Sequence, residues 1–239
     1  MAQYTRIRHQ LGFFKAAGIS KESDKAAQIL KSFIDKGKIP TQIVANSKGL
    51  AIFTGFRAGM YLAGAGGSGV VVARLPNGTW SPPSAFSVRS GSIGLVYGVD
   101  IYDCVCVLNT QAAVDAYTNP EVNLGGVLAL AAGPIGGNAN IKEIKPVWTY
   151  TKSRGIYGGL TVDGTVVKER PGANADFYGS NVTTAQILRG DVTAQVGADK
   201  WRLGSKKLTE VLKMAEGKGA DEKALQEIST EPTPGDLND

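Results

Sequence analysis

The chain has 239 residues, of which 43% are hydrophobic and 20% charged, with 31 glycines, two cysteines and one histidine. A chain of this length can bury about 70% of its unfolded surface without disulfides or metals, and without an apolar run of about 18 residues it is not expected to cross a membrane. The net charge of +5 lies in the N-terminal part, since residues 1–50 hold nine Lys and Arg against three Asp and Glu, and such an excess predicts a partner with an anionic surface.

The first 20 residues have the pattern of a basic amphipathic helix. Tyr4, Ile7, Leu11 and Phe14 recur at three- and four-residue spacing and therefore share one helical face. Such a helix can lie in a membrane interface, with its cations on the lipid phosphates, or it can pack its apolar face on the domain or fray. The basic side chains that lie around the apolar face are Arg6, Arg8, His9 and Lys15.

Residues 24–36 predict the next helix. Ser20 or Ser23 can cap its start, and Gly37 followed by Pro40 is a typical stop signal. Its apolar stripe consists of Ala26, Ala27, Ile29, Leu30, Phe33 and Ile34. The lysines that fall elsewhere on the cylinder, either as a solvated face or as part of a cationic surface, are Lys21, Lys25 and Lys31.

Residues 49–107 have strand character, with turns predicted at residues 57–59, at the glycine cluster 64–69 and at Asn77-Gly78. The glycine cluster satisfies G-x-G-x-x-G, but a valine run follows it instead of a helix, and the first acidic residue beyond it is Asp100. A dinucleotide site is therefore not predicted. The glycines are instead expected to let two backbones approach closely or to bend the sheet.

The remaining elements follow in chain order. Cys104 and Cys106 alternate within an apolar strand and are expected to point to one face as buried free thiols. Residues 217–239 hold two lysines and six acidic residues, and predict a disordered acidic tail behind an arm over 1–20 and one domain over 21–216. The other predicted elements are a helix over 110–117, strands over 127–132, 147–151 and 159–167 with a turn at Asp163-Gly164, and helices over 173–177, 183–188 and 199–214.

Residues suited to catalysis are sparse. The single histidine, His9, lies in the N-terminal arm, away from every motif, and Asp100 and Asp103 point to opposite faces if their segment is a strand. We therefore expect a protein that is not an enzyme and that needs no metal ion or cofactor. No nucleic-acid module is recognised, and a basic excess confined to an amphipathic arm and a helix suits a charged membrane better than a nucleic-acid groove.

Sequence blocks in a fixed order resemble one family, and they include KGLAIF at 48–53, GGSGVVVARL at 66–75, AAGPIG at 131–136 and YTKSRG at 150–155. Further blocks lie at 57–59, 78–81, 83–85, 107–109, 177–179 and 187–190. On these blocks the chain closely resembles the SYLF domain, the lipid- and actin-binding module of the Ysc-type actin-binding proteins. The resemblance implies that the neighbourhood of the helix over 24–36 contacts phosphoinositides and actin.

We therefore predict an α+β fold, in which a glycine-rich, mostly antiparallel β-sheet, bent or partly closed, is covered by helices. The resemblance implies a cytoplasmic, peripheral protein that binds phosphoinositide membranes and actin filaments, in endocytosis or cortical actin organisation, and binds no nucleic acid. The alternative is a lipid or small-molecule carrier with an apolar cavity inside the bent sheet. The predicted head-group ligands are Arg6, Arg8, Lys15, Lys21, Lys25, Lys31, Lys152 and Arg154, and the predicted membrane-inserting side chains are Ile7, Leu11 and Phe14.

Overall fold

A computed structural model describes residues 18–124, 130–134, 145–153, 156–179, 181–194 and 198–236. Its strands are β1 (Gly49–Ala73), β2 (Ser84–Leu108), β3 (Glu121–Leu124), β4 (Leu130–Ala132), β5 (Val147–Ser153) and β6 (Ile156–Glu169). Its helices are α1 (Ile19–Asp35), α2 (Thr41–Asn46), α3 (Gln111–Ala116), α4 (Pro171–Tyr178), α5 (Thr184–Leu188), α6 (Ala198–Ala215) and α7 (Glu222–Gln226), with a 3-10 turn at Asp191–Ala194. The α+β class is confirmed.

Strand β2 organises the sheet, which has six strands within the described residues. Strand β1 pairs with one edge of β2, from Gly49 opposite Leu108 to Val71 opposite Ser84. Strands β5 and β6 share the other edge of β2, with β4 beside β5 and β3 beside β6. All these pairings are antiparallel except that of β4 with β5, so the prediction of a mostly antiparallel sheet is confirmed. Gly78, in the predicted hairpin turn between β1 and β2, has a φ of +80°.

Other predicted turns are wrong. Residues 57–59 continue through β1, and Gly164 lies within β6, opposite Gly91 of β2. Glycine and aspartate are typical of turns, but hydrogen bonding to β2 holds these segments extended. The glycine cluster 64–69 also lies inside β1 rather than in a turn.

The last part of β1 lies directly against its first part. A Cβ atom at Gly67 would be 2.5 Å from the carbonyl oxygen of Thr54, and one at Gly69 would collide with the carbonyl oxygen of Ile52. A Cβ atom at Gly64, in contrast, would meet open space. The predicted close approach of two backbones is therefore confirmed at Gly67 and Gly69, where only glycine fits.

The strands bury side chains on both faces of the sheet. Ile52 and Val105 belong to one core cluster, while their neighbours Phe53 and Cys104 belong to a second, because successive strand residues point to opposite faces. Helices α1 and α6 cover the first cluster, and α3 packs on the second. The helix residues that pack deepest against the first cluster include Leu30, Phe33, Leu208 and Leu212. Helix α1 is thus a fixed part of the core.

The C-terminal segment is folded against the domain, although its composition predicts disorder. Asp221 caps α7 by accepting hydrogen bonds from the backbone N–H groups of Lys223 and Ala224, at 3.0 and 3.3 Å. Ala224 and Ile228 are buried and provide apolar anchors. Further along, Thr233 and Asp236 are buried as well. The segment is ordered because it has a docking site on the domain, which its own composition does not reveal.

Candidate anion-binding surface

Helix α1 carries three of the predicted head-group ligands. Lys21 is exposed, whereas the Nζ atom of Lys25 lies 3.3 Å from Oε2 of the buried Glu22. The Nζ atom of Lys31 donates to Oδ2 of Asp35 at 2.5 Å, one turn along the helix. The side chains of Lys25 and Lys31 remain 31% and 30% exposed. All three ammonium groups therefore stay at the surface of a helix that the core holds in place.

The lysines of α1 do not form a single line. Lys21 and Lys25 lie one turn apart, but six residues at about 100° each place Lys31 roughly 120° away from Lys25. Lys36, the residue that ends α1 at its C-cap, was not among the predicted ligands. It follows Lys25 by 11 residues, about three full turns, and therefore lies on the same line as Lys21 and Lys25. Its side chain is 52% exposed and its Nζ atom lies 2.9 Å from Oδ1 of Asp236. Helical periodicity alone could have identified it.

Lys152, another predicted head-group ligand, is buried. Its Nζ atom donates to Oγ of Ser32 at 2.5 Å, to Oγ1 of Thr233 at 2.8 Å and to Oδ1 of Asp236 at 3.0 Å. It also lies 5.0 Å from the centre of the Phe33 ring. Burial lowers the pKa of Lys152, against the opposing effect of the Asp236 carboxylate. The three N–H donors of the ammonium group are therefore all used in hydrogen bonds within the protein.

The carboxylate of Asp236 is held in place by three side chains. It accepts hydrogen bonds from Thr233, Lys36 and Lys152. Burial opposes its ionisation, but these hydrogen bonds outweigh burial and hold the pKa of Asp236 well below its usual range. Asp103, which lies opposite Lys152 in the sheet, accepts from the backbone N–H of Gly235 at 2.8 Å. This polar cluster joins α1, the sheet and the C-terminal segment. No local sequence motif could therefore predict it.

The other predicted binding residues lie outside the described residues. They are Arg6, Arg8, Lys15 and Arg154 among the cations, and Ile7, Leu11 and Phe14 among the membrane-inserting side chains. Their role stays a prediction.

Asp100 and Asp103, the two acidic residues considered for catalysis, have separate hydrogen-bonding partners. Asp100 accepts from Nε and Nη2 of Arg57, at 2.9 and 2.7 Å, and from Oγ of Ser153 at 2.7 Å. Asp103 accepts from Oγ1 of Thr54 at 2.7 Å. Each carboxylate thus has its own partners, and the two are not arranged as an acid and base pair.

Cys104 and Cys106 are buried and unlinked, with their Sγ atoms 3.7 Å apart on one face of β2, as the alternation predicted. The hydrogen bond to Cys104, followed by burial, raises the pKa of the Cys106 thiol well above its usual value. A protonated, buried thiol is a poor nucleophile.

We expect a disulfide reagent to modify neither cysteine in the native protein at pH 8. Labelling should be at least about 100-fold slower than in denaturant, because it requires an opening of the core that costs several kcal/mol. The release of the chromogenic thiol in native buffer and in denaturant measures both rates. Rapid labelling of either cysteine in native buffer would contradict the buried arrangement.

The described residues offer neither a membrane span nor a metal site. None of their helices combines the length and the apolar character that a bilayer span requires. Their His, Cys, Asp and Glu side chains form no group of three that could hold a metal ion.

Comparison with known proteins assigns the family. The family model for Ysc84, described as Las17-binding protein actin regulator, matches residues 89–215, more than half of the chain. Protein YSC84 of Saccharomyces cerevisiae is 37% identical over 195 residues, which cover 76% of this chain and 42% of that protein. SH3 domain-containing YSC84-like protein 1 of Bos taurus is 36% identical over 195 residues, covering 77% of this chain and 57% of that protein.

The chain spans about half the length of the curated relatives it matches. LAS seventeen-binding protein 3 of Saccharomyces cerevisiae is a further relative, 37% identical over 195 residues, with 76% of this chain and 42% of that protein covered. No solved structure matches the chain significantly. On the family model and these relatives, the chain belongs to the Ysc84 family, whose SYLF domain its sequence blocks resemble.

Proposed function

We propose that this chain is a non-enzymatic actin-regulatory module that binds anionic phosphoinositide membranes and actin filaments. The lysine line of α1, defined as Lys21, Lys25 and Lys36, provides the membrane contact together with the basic arm over residues 1–20. In the cell, such a module acts at the membrane periphery or actin cortex, in endocytosis or cortical actin organisation.

The actin part of the proposal rests on kinship. The matching family model is described as an actin regulator, and two relatives are named for binding LAS seventeen. The chain spans about half the length of the relatives it matches, so the activities of those whole proteins come to it only as this proposal.

The membrane part rests on one observation, the placement of the lysine line on a helix whose opposite face is buried. Ala27 and Leu30, which point away from that line, are 0% exposed, so α1 is fixed and holds Lys21 and Lys25 rigidly at the surface, while Lys36 is paired with Asp236. Each lysine near an anionic membrane contributes about 1 kcal/mol, and the attraction weakens with salt. The arm over 1–20, which adds Arg6, Arg8 and Lys15, directly precedes this face in the chain.

The test is co-sedimentation with phosphatidylcholine vesicles that contain or lack phosphatidylinositol bisphosphate. The double variant Lys21→Gln/Lys25→Gln should bind the bisphosphate vesicles roughly 30-fold more weakly, since two lost lysines amount to about 2 kcal/mol. High salt should weaken the wild-type protein in the same direction.

The matched control removes two exposed cations from other elements. Lys168 and Arg189 have side chains that are 56% and 68% exposed, so Lys168→Gln/Arg189→Gln lowers the net charge equally without touching α1. If both double variants bound the vesicles equally, net charge alone would explain the loss of affinity, and α1 would not be the membrane contact. An actin-filament sedimentation assay on the same proteins reports separately on actin binding.

The carrier alternative has less support. A carrier requires an apolar cavity inside the bent sheet, whereas the strand segments whose side chains the structure describes, such as 50–53 and 104–108, bear packed core residues on both faces. A groove of about 980 Å³ is present, but it lies among helices and the C-terminal segment instead of inside the sheet. Lipid detected by mass spectrometry in the purified native protein would favour the carrier instead.

A further inference from the structure

The C-terminal segment lies over the outward face of α1. Nε2 of Gln28 donates to the backbone carbonyl of Glu231 at 2.7 Å, and Nζ of Lys36 donates to Oδ1 of Asp236 at 2.9 Å. Residues 217–239 hold six acidic residues against two lysines. The described part of this segment, residues 217–236, holds five of these acids; we call it the strap, and it covers part of the helix face that carries the lysine line.

The end of this segment is a tight turn, Thr233-Pro234-Gly235-Asp236, which we call the latch. Its backbone is closed by the N–H of Asp236, which donates to the carbonyl of Thr233 at 2.9 Å. A Cβ atom at Gly235 would lie 2.5 Å from the backbone nitrogen of Asp103 and 2.7 Å from the carbonyl oxygen of Lys152. The latch therefore fits its site on the sheet closely, and only glycine is tolerated at its third position.

The latch is held by polar contacts rather than by an apolar core. Ile228, 5% exposed, is the last buried apolar anchor before the latch, and residues 229–232 between them are exposed. These residues line a groove of about 980 Å³, whose other walls include Gln28, Ser32, Met214 and Leu225. A short exposed segment that lines a groove and is fixed at its end by ion pairs can open locally without unfolding the core.

The Asp236 carboxylate accepts from the ammonium groups of Lys36 and Lys152, and Lys152 also donates to Ser32. Two ammonium groups that converge on one anion are groups that bind phosphate oxygens. Lys152 is the more informative of the two, because a buried ammonium needs anionic partners. Besides Asp103, opposite it in the sheet, it has Asp236, which lies 84 residues along the chain.

We propose that Lys36 and Lys152 form a phosphate-binding site that the Asp236 carboxylate occupies in cis, so that opening of the latch makes the site available. The ligand is a phosphate monoester, either on a lipid head group or on a soluble inositol phosphate. The lipid source rests on the proposed function, whereas the soluble source does not. Phosphate binding and latch closure are mutually exclusive.

The experiment compares full-length variants by titration calorimetry with inositol trisphosphate and by sedimentation with phosphatidylinositol bisphosphate vesicles. Asp236→Asn removes the competing charge, and Gly235→Val expels the latch by collision while leaving every site residue in place. Both should bind inositol trisphosphate about tenfold or more tightly than wild type, because a site that is open only part of the time loses affinity by that fraction. Glu231→Gln is the matched control, since it removes one exposed charge from the same strap.

A second readout is amide hydrogen exchange of residues 229–236. Inositol trisphosphate should speed exchange there in the wild-type protein, and adding Lys36→Gln to Asp236→Asn should remove most of the gain in affinity. Equal affinity for inositol trisphosphate in Asp236→Asn, Gly235→Val and Glu231→Gln would overturn the proposal, even if wild-type protein bound vesicles. Tighter binding of inositol trisphosphate without any vesicle binding would support the site and count against the membrane function.

Discussion

Replacing Gly69 with alanine should destabilise the protein by about 3 kcal/mol or more. The added Cβ atom would collide with the backbone carbonyl oxygen of Ile52 and press on Phe53. Overpacking a core typically costs about 1–3 kcal/mol, and here the obstacle is backbone, which cannot rotate away as a side chain does. The midpoint of urea unfolding, converted with the slope of the transition, measures the loss.

Gly64→Ala is the matched control for this variant. Both glycines belong to the same cluster in β1, but a Cβ atom at Gly64 meets open space. Its free energy of unfolding should change by less than about 1 kcal/mol, in line with ordinary glycine-to-alanine effects in extended chain. If the two variants were equally stable, the close approach of the two parts of β1 would be disproved.

Replacing Leu30 with alanine should cost about 2–5 kcal/mol, the range for a fully buried leucine. Leu30 is 0% exposed and lies in the core cluster that joins α1 and α6 to the sheet. Truncation leaves a cavity between these layers, because the sheet and α6 collapse only partly around it. Thermal unfolding followed by circular dichroism gives the shift in midpoint.

Lys31→Ala, at the next position of the same helix, provides the comparison. Lys31 is 30% exposed and its pair with Asp35 is of the exposed i,i+4 kind, which contributes about 0.3–0.5 kcal/mol. Its loss should leave the free energy of unfolding nearly unchanged. A small effect of Leu30→Ala would mean that α1 is not anchored in the core, and the lysine line would then lack the rigid support that the proposed membrane contact uses.

Helix α1 was predictable because its apolar stripe and its stop are local. The predicted caps were wrong, since the helix begins at Ile19 after Gly18 and both Ser20 and Ser23 lie inside it. The strand character of β1 and β2 followed from alternating and β-branched residues, and the turn at Asn77-Gly78 followed from the need for positive φ. The turns predicted at residues 57–59 and at Asp163-Gly164 failed, because pairing with β2 overrides the local preference of glycine.

The candidate site was likewise predictable only where its residues follow a local pattern. Lys21, Lys25 and Lys31 could be placed on a helix surface from their spacing, and Lys36 could have been added by the same geometry. Lys152 was predicted as a surface cation, but the structure surrounds it with Ser32, Thr233 and Asp236. These partners come from three separate parts of the chain, so no sequence window contains them.

The sequence by itself determined the family, the α+β class, the helix that carries the lysines and the N-terminal location of the basic excess, because each rests on local patterns or ordered blocks. Only the tertiary structure decided that β1 folds onto itself at Gly67 and Gly69, and that the acidic segment docks on α1 instead of remaining disordered. Both depend on contacts between residues distant in sequence. The docking in particular is fixed by Asp103, Lys152 and Asp236, whose buried charges are stable only where the fold brings them to hydrogen-bonding partners.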